Sequence, residues 1–146
     1  MAPKMSERDF DCLRTVEKLS ANGWPARLKD ISSDLNVRGP TALGFLDSLV
    51  RKSLVERGPT GYRSTESGTK LLRDNYRAHR VFESLLYKLG VPLGDACEMS
   101  SKVDETMDAR AVDVFCSYLG HPRLCPHGLE IPENHRRRRG RGRTSS

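Results

Sequence analysis

The sequence predicts a mainly α fold: an N-terminal winged helix-turn-helix followed by a second helical region. Three observations predict it. Apolar residues recur at helical spacing through most of the chain. Asn-Gly, Gly-Pro and single Gly residues cut those runs into helices of ordinary length. One short segment, 54–64, carries instead the strand–turn–strand pattern of a hairpin.

The first helix is expected over 6–22. Ser6 caps it, Phe10, Leu13, Val16 and Leu19 recur at three-residue steps, and Asn22-Gly23 stops it. Trp24-Pro25 makes a turn. Leu28, Ile31 and Leu35 line a short second helix over 27–36. Val37-Arg38-Gly39 is a tight turn, and Pro40 falls in the first turn of a third helix, where proline is tolerated. Leu43, Leu46, Leu49 and Val50 carry that helix to Lys52-Ser53. Residues 54–57, 58–61 and 62–64 read as strand, turn and strand. Residues 65–68 open a long helix whose apolar face includes Leu71, Leu72, Tyr76, His79, Val81, Phe82, Leu85, Leu86 and Leu89, ending at Gly90. Two shorter helices follow, over 93–107 and 108–119, the last with Val112, Phe115 and Leu119 inward. Residues 120–132 form a loop rich in Pro, Gly and His. Residues 134–146 show no periodicity, which argues disorder.

The 146 residues suit one domain or two small ones. They exclude a large α/β barrel. The formal charge of +6 is unevenly placed. Six arginines lie in the tail, at 136, 137, 138, 139, 141 and 143. Residues 1–65 hold 11 basic and 8 acidic residues, and residues 66–135 hold 8 basic and 11 acidic. The body is therefore neutral overall, with a mildly basic front and a mildly acidic back. The charged N-terminus lacks the apolar core of a signal peptide, and no apolar run approaches a membrane span. Cys12, Cys97, Cys116 and Cys125 form no CxxC pair and read as thiols. A cytoplasmic protein is expected.

Helix, helix, tight turn, helix and hairpin is the winged-helix layout. Its third helix is of the kind that enters a major groove, braced by the second across the backbone. The outward polar residues fit that use. Arg27 and Lys29 start the bracing helix. Arg38, Pro40 and Thr41 start the recognition helix, where free backbone N–H groups favour phosphate. Gly44, Ser48, Arg51 and Lys52 follow, and Arg57, Thr60 and Arg63 lie on the wing. Most of these would position the protein on phosphate rather than read bases. Gly44 offers no base-reading side chain and costs about 1 kcal/mol in a helix interior; close backbone approach or shape readout is the use it leaves. Arg136, Arg137, Arg138 and Arg139 add salt-sensitive affinity for phosphate.

Three segments, LKDISSDLNVRGPTALGFLDSLVRKSLVERGPTGYRSTESGTKLL, RAHRVFESLLYKLGV and LGHPRLCPHGLEIP, resemble the diphtheria-toxin-repressor family of iron- and manganese-dependent regulators. The resemblance runs colinearly over about residues 10–132. Its most specific pieces are Gly39-Pro40-Thr41, the Lys52-x-Leu54-Val55 step into the wing, His79-Arg80 and HPxxCPHGxxIP. It implies three regions: a winged-helix DNA-binding domain over 1–68, a helical metal-binding and dimerisation domain over 69–132, and an Arg-rich tail over 133–146. It also implies a homodimeric repressor of metal-uptake or homeostasis genes, loaded with Fe(II) or Mn(II), on a double-stranded operator. A short form without the family's SH3-like domain is expected.

The resemblance carries over a metal site residue by residue. Asp11 falls at the first-helix ligand position of manganese-type members, so that metal would fix the first helix against the dimerisation domain. His79 and Glu83 match a His and a Glu on the dimer helix, and their i,i+4 spacing places them on one face. Cys97 falls where iron-type members carry an ancillary His. Asp104 and Glu105 occupy the position of the family's Glu-His, and Ser101 replaces the first ligand before them. This departs from the usual primary site. It leaves open an altered site that still senses a divalent ion, a degenerate site on a metal-independent or redox-responsive DNA-binding protein, or plain surface ion pairs. His121, Cys125 and His127 have metal-like spacing, but a closed zinc site needs a fourth ligand, so a structural loop role is the expectation there. Cys12 is expected in the core. No nucleophile–base pair, phosphate loop or HExxH motif points to an enzyme.

Overall fold

The computed structural model describes residues 4–134. The elements follow in the order α1 (Glu7–Leu19), α2 (Leu28–Asp34), α3 (Gly39–Arg51), β1 (Val55–Arg57), β2 (Tyr62–Ser64), α4 (Glu66–Lys88), α5 (Leu93–Val103) and α6 (Ala109–Tyr118). The fold is mainly helical, with one small antiparallel sheet, and it is a winged helix-turn-helix followed by a helical domain. Contacts divide the chain into two compact units between Leu72 and Arg73, inside α4.

In the first unit, α1 starts where Ser6 and Asp9 close a capping box. The Ser6 hydroxyl accepts from the Asp9 N–H at 3.1 Å, and the Asp9 carboxylate accepts from the Ser6 N–H at 3.0 Å. The helix stops at Leu19, earlier than its sequence pattern reads, because residues 20–23 close turn bonds and Gly23 takes a φ of 91°. Phe10, Cys12, Leu13 and Val16 of α1 are buried with Ile31 of α2 and Ala42, Leu46 and Leu49 of α3. These are the three-residue steps of the sequence pattern. Burial pushes the Cys12 thiol up to about 12, the mark of a core residue.

The hairpin pairs Val55 with Ser64, Glu56 with Arg63 and Arg57 with Tyr62. Tyr62 also bridges to Ala26, which ties the wing to the entry of α2. Gly61 is required at that junction. Its φ is 155°, and a Cβ there would lie 2.5 Å from the Ala26 carbonyl oxygen.

In the second unit, Ala78, Val81, Val112, Cys116, Cys125 and Ile131 form a buried cluster, with Met107, Phe115 and Leu119 packed on it. Helix α5 ends at Val103, short of its expected end. The Thr106 hydroxyl donates to the Val103 carbonyl there, and Asp108 caps α6 two residues on. The segment after α6 is a small closed hairpin. Cys125 N–H donates to the Leu129 carbonyl, Gly128 N–H to the Cys125 carbonyl and Ile131 N–H to the Arg123 carbonyl, each at 2.8 Å. Gly128, at a φ of 79°, makes its tight turn. Two arginines of α4 pin the segment down. Arg77 donates to the Pro132 carbonyl at 3.1 Å and to Asp113 at 2.9 Å, and Arg80 donates to the Glu130 carbonyl.

Candidate metal centre and nucleic-acid face

The longest helix sets the centre of the second unit. His79 and Glu83 stand one turn apart on α4, and Glu83 is 1% exposed. Its Oε2 lies 3.2 Å from His79 Nε2. Its Oε1 lies 2.8 Å from Nδ1 of His127, which the hairpin after α6 delivers. Cys97, from α5, places its Sγ 3.6 Å from His79 Nε2. Burial and the neighbouring Glu83 carboxylate push the Cys97 thiol up.

Two groups of donor atoms result, each with all its atoms within 4.8 Å of one another: His79, Glu83 and Cys97, and Glu83, Cys125 and His127. Asp104 stands behind the first. Its Oδ2 lies 2.9 Å from His79 Nδ1, so with the ring proton on Nδ1 the Nε2 lone pair faces Glu83 and Cys97. This is the carboxylate–histidine pairing that orients a ligating imidazole. The other Asp104 oxygen, Oδ1, is buried without a hydrogen-bond partner.

This donor set fits a divalent cation. Glu83 and Asp104 are buried carboxylates, and among the described residues no lysine or arginine reaches either. A buried charge without a counter-charge is costly, and a cation held by imidazole, thiolate and carboxylate removes that cost. Imidazole and thiolate suit the borderline first-row ions.

Of the expected ligands, the structure gathers His79, Glu83 and Cys97, with Asp104 on the far side of His79. Glu105 lies in the turn after α5, outside both donor groups. Ser101 donates to the Cys97 carbonyl of its own helix at 3.1 Å. Asp11 belongs to the first unit, where it pairs with Arg14 at 3.0 Å. Cys125 and His127 join Glu83, a role the sequence reading did not give them. Their H-x3-C-x-H spacing was the available signal, but it groups them with His121. The structure instead sets His121 Nδ1 3.7 Å from Cys116 Sγ, just past the end of α6.

On the first unit, Arg27 and Arg38 stand at the N-caps of α2 and α3, both exposed. Lys29, Pro40, Thr41, Gly44 and Arg51 are exposed as well, and Ser48 is half-buried. A Cβ at Gly44 would meet nothing within 4 Å. Lys52 is engaged elsewhere: its Nζ lies 3.1 Å from the Asp9 carboxylate. On the wing, Arg57 covers the Tyr62 ring at 5.9 Å from its centroid, and Arg63 donates to the Gly23 carbonyl. Arg136, Arg137, Arg138 and Arg139 lie outside the described residues. Among the described residues no helix is long and apolar enough to cross a membrane.

The chain is similar in sequence and fold to known proteins. The family model described as "iron dependent repressor, metal binding and dimerisation domain" matches residues 65–133. An uncharacterized HTH-type transcriptional regulator of Aeropyrum pernix is 32% identical over 115 residues, covering 75% of this chain and 64% of that protein. The chain thus spans less than two thirds of that curated relative's length. A hypothetical protein of Sulfolobus solfataricus is similar in structure with a TM-score of 0.83 and 34% identity, over 88% of this chain and 100% of that one. The manganese regulator SloR is similar with a TM-score of 0.71 and 27% identity, over 88% of this chain and 61% of its own.

Proposed function

The chain belongs to the diphtheria-toxin-repressor family of metal-dependent regulators, and from that membership we propose that it is a homodimeric, metal-responsive, DNA-binding transcriptional repressor of metal-uptake or homeostasis genes, acting in the cytoplasm. One observation carries the reading. Glu83, 1% exposed, lies among two histidines and two thiols with, among the described residues, no lysine or arginine beside it. A cation supplies the missing positive charge there, Fe(II) or Mn(II) being the family's ions.

Glu83 holds the ion with His79 and Cys97 or with Cys125 and His127, and Asp104 orients His79. Asp11 and Glu105 remain as the family-derived donors. Arg27, Lys29, Arg38, Thr41, Ser48, Arg51, Arg57 and Arg63 contact DNA, with Pro40 setting the first turn of α3 and Gly44 admitting close approach. The Asp9 pairing makes Lys52 a brace between α1 and the end of α3, and its DNA contact is secondary. Half-sites lie about one DNA turn apart, as for other helix-turn-helix dimers. The ion acts only by binding the DNA-competent dimer more tightly than the alternative.

The test is fluorescence anisotropy at fixed salt on a duplex selected from a randomised library. Wild type should bind at least ten-fold more tightly with Fe(II) or Mn(II) than with chelator, and His79→Ala should not respond. Affinity unchanged by Fe(II), Mn(II), Co(II), Ni(II) or chelator refutes the reading.

A further inference from the structure

We propose that Trp24 contacts DNA, its indole lying against the sugar–phosphate backbone of the duplex beside the wing. The inference rests on the DNA-binding reading above and adds an uncharged, aromatic contact to a set of basic and polar ones. Trp24 is the chain's single tryptophan. At 74% it is the most exposed of the large apolar side chains among the described residues. Tryptophan brings a wide apolar face and one N–H donor, the pairing that makes it a frequent interface residue.

The turn that carries Trp24 is held in place. The Asn22 side chain accepts from the Trp24 N–H at 3.0 Å, and the Gly23 N–H donates to the Ser20 carbonyl at 3.1 Å. Arg63 of β2 donates to the Gly23 carbonyl. Pro25 follows, and Ala26 and Tyr62 exchange two backbone bonds, each at 2.8 Å. The backbone on both sides of Trp24 is thus fixed while the ring stands in solvent. A residue held this way has less freedom left to lose on binding.

The surroundings select the occupant. Arg63 is tied to residue 23, and the exposed Arg27 and Lys29 follow at the start of α2. Arg57 covers Tyr62, the residue that pairs with Ala26. Two acids lie nearest in pairing and sequence, Glu56 across from Arg63 and Asp30 after Lys29. Four basic residues therefore surround the indole's turn against two acidic ones. A phosphate backbone neutralises that excess, and the sugars between phosphates give the indole an apolar surface to cover. An uncharged side chain releases no counterion. Losing Trp24 should weaken binding and leave the salt slope alone, whereas losing a phosphate-contacting arginine lowers the slope by about 1.

The test is intrinsic tryptophan fluorescence of the full chain, free and saturated with an unlabelled library-selected duplex, with Mn(II) in both samples. Acrylamide, a neutral quencher, should reach Trp24 freely in the free protein and lose most of that access in the complex. Unchanged quenching overturns the proposal. So does protection that grows with protein concentration in the absence of DNA, which would place Trp24 between copies of the chain. Trp24→Ala should bind the duplex about five- to ten-fold more weakly at fixed salt, with the wild-type salt slope, and Trp24→Phe should recover part of the loss. Wild-type affinity in Trp24→Ala overturns the contact, as does a weakened affinity with a lowered slope, which would assign the effect to a displaced arginine. Circular dichroism checks that Trp24→Ala folds, and where it does not, wild-type quenching decides alone. Metal-responsive DNA binding with unchanged quenching removes the Trp24 contact and keeps the proposed function. Protection of Trp24 in a complex that forms equally well with Mn(II) and with chelator does the reverse.

Discussion

The two units of this chain treat buried charge in opposite ways. In the first, Asp9 is buried, yet it closes the α1 capping box and takes the Lys52 ammonium at 3.1 Å. Burial pushes its carboxyl up, but the Ser6 N–H, Lys52 and the Ser6 hydroxyl outweigh it and hold the group below its ordinary value. Glu17, half-exposed, leaves the one partnerless buried oxygen in that unit among the described residues. In the second unit, Glu83 and Asp104 meet histidines and thiols, and an Asp104 oxygen is left without a partner. The difference teaches that the buried Asp9 of the first unit, the winged-helix head, finds its counter-charge in Lys52, whereas Glu83 and Asp104 of the second unit meet imidazoles and thiols and, among the described residues, no lysine or arginine.

That contrast can be broken from either side. The largest effect belongs to the head. Leu46→Ala empties a fully buried site on α3 and should cost about 2–5 kcal/mol in denaturant unfolding. The cost should be the same with metal and with chelator; a cost that depends on metal would show that the head is not complete alone. Next comes the metal itself. At 100-fold above its Kd, a divalent ion should stabilise wild type by about 2.7 kcal/mol, and Glu83→Gln should lose that gain. In chelated protein the same substitution should be neutral or stabilising, since it removes an uncompensated buried charge. Destabilisation of the chelated protein would mean that Glu83 is satisfied without a cation.

Smaller effects sharpen the picture of the head. Gly44 is an exposed helical glycine with open space where a Cβ would go, so Gly44→Ala should stabilise the fold by about 1 kcal/mol. DNA affinity should fall in the same variant if the bare backbone of α3 faces the duplex; undiminished affinity removes that role. Ser6→Ala should cost about 1 kcal/mol through the lost cap. Because the folded Asp9 carboxyl sits below its ordinary 3.8, its stabilisation is present above that value and is lost as pH falls through the folded one. Asp9→Asn should therefore flatten the acid limb of the stability curve. Smallest is Arg38→Ala, expected to lower the salt slope of DNA binding by about 1.

The fold was readable in the sequence because local signals set it. Leu13, Val16, Leu46 and Leu49 show helical spacing and are buried, and Gly58–Gly61 separates two strands that do pair. Helix ends were less legible. At Ser20 and Thr106, side-chain and turn bonds close the helix before its apolar pattern stops. Half of the candidate centre was local too, since His79 and Glu83 are one helical turn apart. The other half was not. His127 meets Glu83 across 44 positions, through a hairpin whose path is set by Arg77, Arg80 and backbone pairing rather than by periodicity. The same tertiary placement puts Asp104 on His79 Nδ1, an orienting position that spacing alone does not distinguish from a ligand's.

The claim that metal and DNA binding are coupled is tested most directly by reciprocity. Co(II) affinity is measured for the full chain, free and saturated with a library-selected duplex, at one salt concentration. Coupling requires cobalt to bind more tightly to the DNA-bound protein, by the same factor, about 5–150-fold, by which cobalt tightens DNA binding. Equal cobalt affinity in the two states would contradict a metal-responsive repressor.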